Sequence, residues 1–495
     1  MASIQTRNSV LAVKKEVTEG TPVKPTLATD YVALQDDFSL EGGFDTLENA
    51  ELKASIGKAK SIRGAESPSG SLSHYLRASG VEGQAPNYGL FLEACLGAVS
   101  TASTQYPTIS GSTTTAVRVN TGIGAQFQRG QALLIKDATN GYRIRCVDSV
   151  SGDDLALSFA TPVATPAATN LGKCVLYKPT NTAHPTLTLW HYLGQGGALQ
   201  AMAGSRVTSA SFDISAGELI NASYSLEGVG YYFDPIEVVA GSNVVNFNTG
   251  SPFTATIPAQ LYKTPIELAD AITTGMTASA GAAITCSYSS TTGKFTVSKA
   301  SGTLSITWLT GANSIGATIG FTADDTGSLS YVGDVAINFA SPQSPTFDNS
   351  DPLAAKDNEV MMGLQSEYAC FNASTVNMTI DTPKADIPSV CAASGKIGSI
   401  IQSREVTITV SALLEQYDAK QFERFRSNTD VKFQYSFGQK SGGNWVAGKA
   451  GCLYIPTATI SAFSVSDADG LAQLDLELKA FVNANGDGEA YVAFV

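Results

Sequence analysis

The side chains most often used for catalysis and metal binding are scarce in this chain of 495 residues. It contains three histidines, His74, His184 and His191. His184 and His191 lie seven residues apart around a segment with strand character, and an odd separation places two side chains on opposite faces of a regular strand. His74 is far away in sequence. We therefore expect three structural histidines and no metal site.

The cysteines also fit a structural role better than a chemical one. Their number is odd and their spacings are wide, without a CxxC motif: Cys95, Cys146, Cys174, Cys286, Cys370, Cys391 and Cys452. Neither a zinc ribbon nor a thioredoxin-type motif is supported. The sequence predicts mostly buried, reduced thiols in a protein that folds in a cytoplasm.

Short motifs that could bind phosphate or calcium are incomplete. Gly194–Gly197 lacks the Lys-Ser/Thr ending of a phosphate loop, and Gly228–Gly230 lies between strand patterns and opens no helix. The acidic turns at 153–154, 324–325 and 467–469 lack the full EF-hand pattern, and we interpret them as solvated turns. No pair of carboxylates stands out for glycoside hydrolysis. We predict no catalytic, cofactor-binding or metal-binding residues, no cofactor, and no enzymatic activity.

Charge argues against a protein that holds nucleic acid. Lys and Arg total 31 and Asp and Glu total 44, a formal net charge of −13, and no run of basic residues occurs. A DNA-binding surface needs basic residues to neutralise phosphates, so tight DNA binding is not expected. Acidity does suit a surface past which DNA must slide. The N-terminus lacks the apolar region of a signal peptide, and no apolar run reaches the length of a membrane span, so we expect neither cleaved export nor a membrane partner.

The elements that would position these residues are mainly β. Short alternating segments separated by Gly, Ser, Asn and Asp turns predict antiparallel strands. Longer strand patterns occupy residues 1–98, 184–236 and 346–495, and two stretches of different character interrupt them. We expect residues 99–183 to form an inserted β module, and residues 237–345 to form an inserted β-rich module with one helix.

Hairpins and helices can be placed more closely. Hairpins are predicted at 207–229, 284–298 and 455–481. Helices are predicted over 88–96 with Gly97 as a stop, over 265–276 with Thr264 as N-cap and Pro265 at the first position, and over 418–426 with Phe422 and Phe425 on one face. Residues 1–30 are expected to include an extended arm, and residues 41–66 a long excursion.

Several short motifs occur in a characteristic order along the three outer stretches. They are Thr18–Pro22, Gly64–Leu72, Tyr88–Gly97, His184–Leu189, the hairpin at 207–229 and the hairpin from Ile455 to Phe481. In this order they resemble the major tail tube proteins of long-tailed, non-contractile (siphovirus-type) bacteriophages. The two modules at 99–183 and 237–345 depart from the family pattern and look like insertions on the outer surface.

The resemblance implies a β-sandwich or barrel core with a flanking helix and two inserted modules. It also implies that copies join their inner sheets into rings, six to a ring, and that rings stack into a tube through which DNA passes at genome ejection. The implied partners are other copies of the chain and the tape measure, tail terminator and distal tail proteins. The implied location is the virion tail, assembled in the cytoplasm of the host bacterium. The helix at 418–426, the excursion at 41–66 and the arm at 1–30 are the expected ties between subunits and rings.

A second hypothesis assigns function to the inserted modules. A virion protein that binds carbohydrates or a receptor would use aromatic side chains such as Tyr142, Trp308 or Tyr331, although core packing explains the same residues. A glycan-degrading enzyme on a β scaffold is the third hypothesis, and the sequence offers no constellation of residues for it.

Overall fold

The fold is mainly β, as predicted. The computed structural model describes residues 7, 9–51, 57–137, 141–182, 184–194, 198–339, 350–414, 419–482 and 488–495. All paired strands in it are antiparallel, which fits the short loops between them. Residues 195–197 of the glycine-rich motif, Pro342, Pro345 and the predicted first residue of the last helix, Asp418, lie outside the described residues.

The elements fall into the five stretches that the sequence suggested. Before residue 104 they are α1 (Leu27–Asp30), α2 (Gly89–Leu96), β1 (Val10–Lys15), β2 (Tyr31–Val32), β3 (Ser39–Glu41), β4 (Phe44–Leu47), β5 (Ile62–Glu66), β6 (Ser69–Tyr75) and β7 (Gly97–Ala102). From 104 to 173 they are β8 (Tyr106–Pro107), β9 (Ala116–Arg118), β10 (Ala132–Asp137), β11 (Gly141–Ser151), β12 (Asp154–Leu157) and β13 (Asn170–Leu171). From 174 to 234 they are β14 (Cys174–Pro179), β15 (Leu187–Tyr192), β16 (Leu199–Ser215), β17 (Asn221–Glu227) and β18 (Gly230–Phe233).

The remaining elements complete the chain. From 235 to 339 they are α3 (Pro265–Ala280), β19 (Ile236–Glu237), β20 (Val244–Asn248), β21 (Pro252–Thr256), β22 (Leu261–Tyr262), β23 (Ile284–Ser289), β24 (Lys294–Lys299), β25 (Ser305–Ile306) and β26 (Ser330–Val332). After residue 350 they are α4 (Ala419–Ser427), β27 (Glu359–Gly363), β28 (Ala373–Asp381), β29 (Lys384–Pro388), β30 (Lys396–Ile401), β31 (Glu405–Leu413), β32 (Val431–Ser441), β33 (Asn444–Ala468), β34 (Leu471–Ala480) and β35 (Tyr491–Phe494).

One sheet carries most of the outer stretches and folds over itself. Its first layer runs in the order β6–β17–β16–β28–β31–β34–β33 and is called the seven-stranded layer below. Its second layer contains β2–β1–β15 and β7–β14–β35 with β32 and β27. The long strands β16 and β33 belong to both layers. Bulges at Val207/Ser209 and Ile460/Ala462 interrupt their registers, and bulges let a strand bend from one layer into the other.

The main core lies between the two layers and includes α2. Phe91, Leu92 and Leu96 of this helix are buried against the apolar faces of both layers. The helix ends where the sequence predicted, because Gly97 adopts a left-handed conformation with φ of 111° and its N–H bonds back to Glu93. Within the seven-stranded layer the alternation is regular, with apolar residues inward and Ser, Thr, Asn and acidic residues outward.

The N-terminal segment is not a free arm over its whole predicted length. Leu11, Ala12 and Val13 of β1 are fully buried, and β1 pairs with β15 along its length. The segment after it is also anchored, since the buried Glu16 carboxylate accepts hydrogen bonds from Gly20 N, Gly204 N and two threonine hydroxyls. Burial raises the pKa of Glu16, against the opposing effect of these bonds. Expecting an arm over residues 10–20 was therefore wrong.

The two middle stretches each contain a hydrophobic cluster of their own. In the first, β10–β11–β12–β9 form a four-stranded sheet over a cluster that includes Leu133, Val147 and Leu155. In the second, α3 packs on two small sheets, β21–β20–β25 and β23–β24–β26. The strand at 174–179, which the sequence grouped with the first module, instead lies in the large sheet between β7 and β35.

Candidate functional site: assembly surfaces

The outward face of the seven-stranded layer is polar and acidic. Hydroxyl residues cross it in register, for example Ser71–Ser225–Ser209 and Ser223–Ser211–Thr379–Thr407. The ionisable side chains that project from this face are six carboxylates and one lysine: Asp213, Glu227, Asp381, Glu405, Asp475, Glu477 and Lys479. Short hydroxyls and carboxylates offer no cationic partner for phosphate, so this polar face repels a nucleic-acid backbone.

Neighbouring hydroxyls fix several of these carboxylates in place. Asp475 accepts hydrogen bonds from Ser466 Oγ at 2.5 Å and Ser411 Oγ at 2.7 Å, and these bonds lower the pKa of Asp475. Asp381 accepts a bond from Ser209 Oγ at 2.7 Å. A carboxylate held by donors to its charged form stays ionised at neutral pH, so the acidity of the polar face is maintained there.

Both edges of the seven-stranded layer are open within the described part of the chain. At one edge, residues 462–468 of β33 pair only with β34. At the other, β3 pairs only with β6, along Ser39–Glu41. An open strand edge presents unpaired N–H and C=O groups that can pair with another chain. The two edges lie at opposite sides of one layer, so copies could join edge to edge in a head-to-tail manner.

The geometry of the β33–β34 turn identifies which backbone groups face outward. Asp469 and Gly470, with φ of 54° and 84°, form a two-residue turn, and the pair that flanks such a turn, Ala468 and Leu471, is hydrogen-bonded. Hydrogen-bonded and non-hydrogen-bonded pairs alternate from there. The pair Val465–Leu474 is therefore non-hydrogen-bonded, and the N–H of Val465 points away from β34.

A pair of hairpins carries exposed apolar residues. The hairpins β4–β5 and β29–β30 touch each other where Glu66 N bonds to Ser394 O at 3.0 Å and where Gly395 lies close to Ala65. Gly395 has a φ of +78°, and a Cβ there would come within 2.9 Å of Ala65 Cβ, so only glycine fits. The exposed apolar residues of this apolar hairpin surface are Phe44, Leu47, Ile62, Ile387, Val390, Ile397 and Ile400. Contiguous exposed apolar residues mark interaction surfaces.

The predicted last helix flanks the open edge. In α4 (Ala419–Ser427), Phe422 and Phe425 contact Phe463 of β33 with ring centroids 5.4 and 6.2 Å apart. The apolar face predicted for this helix is thus present, although Phe422 remains 45% exposed. The helix supports the extended end of β33 from its inner side.

The first middle sheet is joined to the large sheet by buried ionic and polar contacts. Arg145 of β11, which is fully buried, donates to Glu359 of β27 at 3.0 and 3.4 Å, and Arg143 donates to the same carboxylate at 3.3 Å. Gln434 of β32 donates to Ile144 O at 3.0 Å. No charge in this interface is left without a counter-charge among these residues, as burial of ions requires.

The predicted structural histidines lie in three different places. His74 stacks in the core against Tyr88 and Tyr224, with centroids 4.2 and 5.6 Å away, and burial lowers its pKa to about 4. His184 contacts the backbone carbonyls of Ala94 and Thr180, while His191 bonds to a glutamine side chain. Burial also lowers the pKa of His184 and His191. The structure does not bring any two of them together.

The acidic turns use their carboxylates to hold loops. Asp153 accepts from Gly122 N at 2.8 Å, Asp324 from Leu309 N at 2.7 Å, and Asp467 from Gly470 N at 2.8 Å. Gly228–Gly230 joins β17 to β18. In the described ranges, no group of three or more His, Cys, Asp or Glu side chains is placed to hold a metal ion, and no helix is long and apolar enough to span a membrane.

The aromatic side chains considered for carbohydrate binding are mostly in the core. Trp308 is 2% exposed and stacks on Phe321 at 4.3 Å, and the buried Tyr331 donates its hydroxyl hydrogen to Leu304 O at 2.7 Å. Tyr142 is 38% exposed. The core interpretation therefore holds for Trp308 and Tyr331, and the carbohydrate hypothesis retains only Tyr142 among the three.

Comparison with known proteins identifies one family. A family model described as "Phage tail tube protein" matches residues 6–261, slightly more than half of the chain. No curated protein matches. Among solved structures, a chain from "Virion of native gene transfer agent (GTA) particle" is similar over 27% of this chain and 93% of its own length, with 11% identity and a TM-score of 0.19. A score of that size carries no argument.

Proposed function

Because the chain belongs to the phage tail tube protein family and is thus a structural protein of the phage tail, we propose that six copies close into a ring and that rings stack into the tail tube. The polar face of the seven-stranded layer lines the lumen through which the genome is ejected. The observation that supports this assignment is the excess of carboxylates over lysine on that face. DNA slides along such a wall because no phosphate finds a cationic partner.

Ring closure uses the two open edges of the layer. The edge of β33 at residues 462–468 on one copy pairs with the edge formed by β3 and β6 on the next. Each contact joins two different surfaces, so it is heterologous, and a rotation of the right size closes it into a ring. Joining all edges leaves no strand exposed at the lumen.

Stacking of rings uses the apolar hairpin surface. Its residues come from the excursion at 41–66, for which the family resemblance implies contacts between rings, and from the neighbouring hairpin β29–β30. Burial of these apolar side chains against the next ring supplies a favourable free energy for a stack. The tape measure, tail terminator and distal tail proteins are the further partners, and assembly takes place in the host cytoplasm.

The edge assignment can be tested with one backbone group. Val465→Pro removes an N–H that points away from β34 and leaves the β33–β34 ladder intact. We expect purified wild-type protein to form rings or tubes in negative-stain micrographs, and Val465→Pro to remain monomeric by light scattering at the same concentration. Val465→Ala is the matched control, because it loses the same side chain and keeps the N–H.

The outcomes separate the proposal from a general folding defect. Val465→Pro must retain the circular dichroism spectrum and melting temperature of Val465→Ala for the comparison to hold. Rings formed by Val465→Pro as readily as by Val465→Ala would rule out β33 as a ring edge. A wild-type protein that stays strictly monomeric at high concentration would contradict the ring itself.

A further inference from the structure

Two buried cysteines from distant parts of the chain face each other between the first middle sheet and the large sheet. Cys146 lies in β11 and Cys452 in β33, and their Sγ atoms are 3.1 Å apart. Both side chains are fully buried, in a cluster that also contains Cys174, Tyr454 and Trp445. A disulfide needs its sulfurs about 2.05 Å apart, so an approach of about 1 Å would bring these two to bonding distance.

The surroundings of the pair hold both strands in register. Beside Cys146, Gln434 bonds to Ile144 O at 3.0 Å, and Asp148 accepts from Tyr454 OH at 2.7 Å. The backbone N–H of Cys146 donates to Ser158 Oγ at 3.0 Å. Because β11 and β33 are tied on both sides of the thiols, the approach of the sulfurs requires no movement of one sheet past the other.

From this geometry we infer that Cys146 and Cys452 are a disulfide-forming pair whose bond covalently fixes the first middle module to the large sheet. The co-reactant is a small soluble disulfide. One cysteine thiolate attacks it and releases a small thiol, and the second cysteine then attacks the mixed disulfide and releases a second small thiol. Two protein thiols become one protein disulfide, and one small disulfide becomes two small thiols.

Burial sets the conditions under which the bond forms. It strongly disfavours the thiolate, because desolvation raises the pKa of Cys146 well above the usual range, and only the thiolate attacks a disulfide. Reaction of the folded protein is therefore slow and waits for a local opening between β11 and β33. A cytoplasm keeps such thiols reduced, while an oxidising medium outside the cell favours the bond.

The test uses the full chain carrying Cys370→Ser and Cys391→Ser, which removes the two exposed thiols. The protein is incubated with oxidised glutathione, both folded and during refolding from urea. We expect loss of two of the five remaining thiols, a peptide containing Cys146 joined to one containing Cys452 by mass spectrometry, and faster migration on a non-reducing gel because a long loop is closed. Digestion by trypsin within residues 104–173 should slow by about tenfold or more, since the bond restricts opening of the module.

Matched variants decide the outcome. Cys146→Ala and Cys452→Ala should each abolish the linked peptide and the gel shift, and Cys174→Ala, from the same buried cluster, should leave both unchanged. A bond that joins Cys174 to either partner would overturn the pairing. Retention of all five thiols after refolding with oxidised glutathione, by a protein that recovers its native circular dichroism, would overturn the inference altogether.

Discussion

Removing the charge of Glu359 should loosen the first middle module from the large sheet. Glu359 faces the fully buried Arg145 and also Arg143. In Glu359→Gln the Arg145 guanidinium keeps its bond to Ile144 O at 2.7 Å but loses its only counter-charge among the contacts it makes. Leaving a buried charge without its partner costs about 3–5 kcal/mol. Since glutamine retains one carbonyl acceptor, we expect about 3 kcal/mol.

Hydrogen exchange measures this loss at the module itself. A free-energy change of about 3 kcal/mol corresponds to roughly a 100-fold larger open population, so amide exchange in β10, β11 and β12 should accelerate by about that factor. Exchange in the seven-stranded layer should change little, because its hydrogen bonds do not pass through Glu359. Urea unfolding of the same variant should show the module signal at a lower midpoint.

Two controls distinguish burial of the ion pair from loss of any ion pair. Asp154→Asn removes the equally direct but exposed pair between Asp154 and Arg118 in the same module, and we expect a change within experimental error because solvent screens such pairs. Combining Arg145→Met with Glu359→Leu removes both buried charges and should restore more than half of the lost stability. Less than a fivefold acceleration in Glu359→Gln would refute the reasoning.

Two further predictions concern acid and the polar face. Lowering the pH from about 6.5 to about 4 should destabilise the protein through His74, because the folded state keeps this side chain neutral with a pKa of about 4 while the unfolded chain takes up a proton near 6.5; urea titrations should show the advantage of wild type over His74→Gln shrinking across that window, and a pH-independent difference would contradict it. Reversing two charges on the polar face, with Asp213→Lys and Asp381→Lys, should give assembled protein a salt-dependent affinity for double-stranded DNA. The same number of reversals at the exposed Glu51 and Asp270 should have a smaller effect, and equal binding by the two variants would remove the lumen assignment.

Local signals in the sequence predicted local structure well. Thr264 accepts a bond from Glu267 N as the N-cap of α3, and Gly97 ends α2, because capping depends only on neighbouring residues. The hairpins at 207–229, 284–298 and 455–481 are present for the same reason. The helix α3 extends four residues beyond its predicted end, to Ala280.

Contacts between distant residues could not be read from the sequence. Nothing near Val10–Lys15 indicates that this strand pairs with β15, because its partners lie about 180 residues later. Four consecutive apolar residues at 174–177 predict a strand buried on both faces, yet they do not say which sheet it joins. The Arg145–Glu359 pair spans 214 residues. The polar face depends on the same long-range pairing, since only the register of seven strands collects its carboxylates on one surface.

The continuity of β33 has a consequence for the timing of assembly. Its 25 residues begin in the second layer and end at the open edge, where Phe463 rests on α4. The edge is therefore ordered when the chain folds, and a neighbouring copy meets a preorganised strand without a further loss of conformational entropy on association. An edge that is ready at all times cannot delay its own pairing. The onset of polymerisation must then be set outside the subunit, by its concentration or by a nucleating surface that presents the first complementary edge.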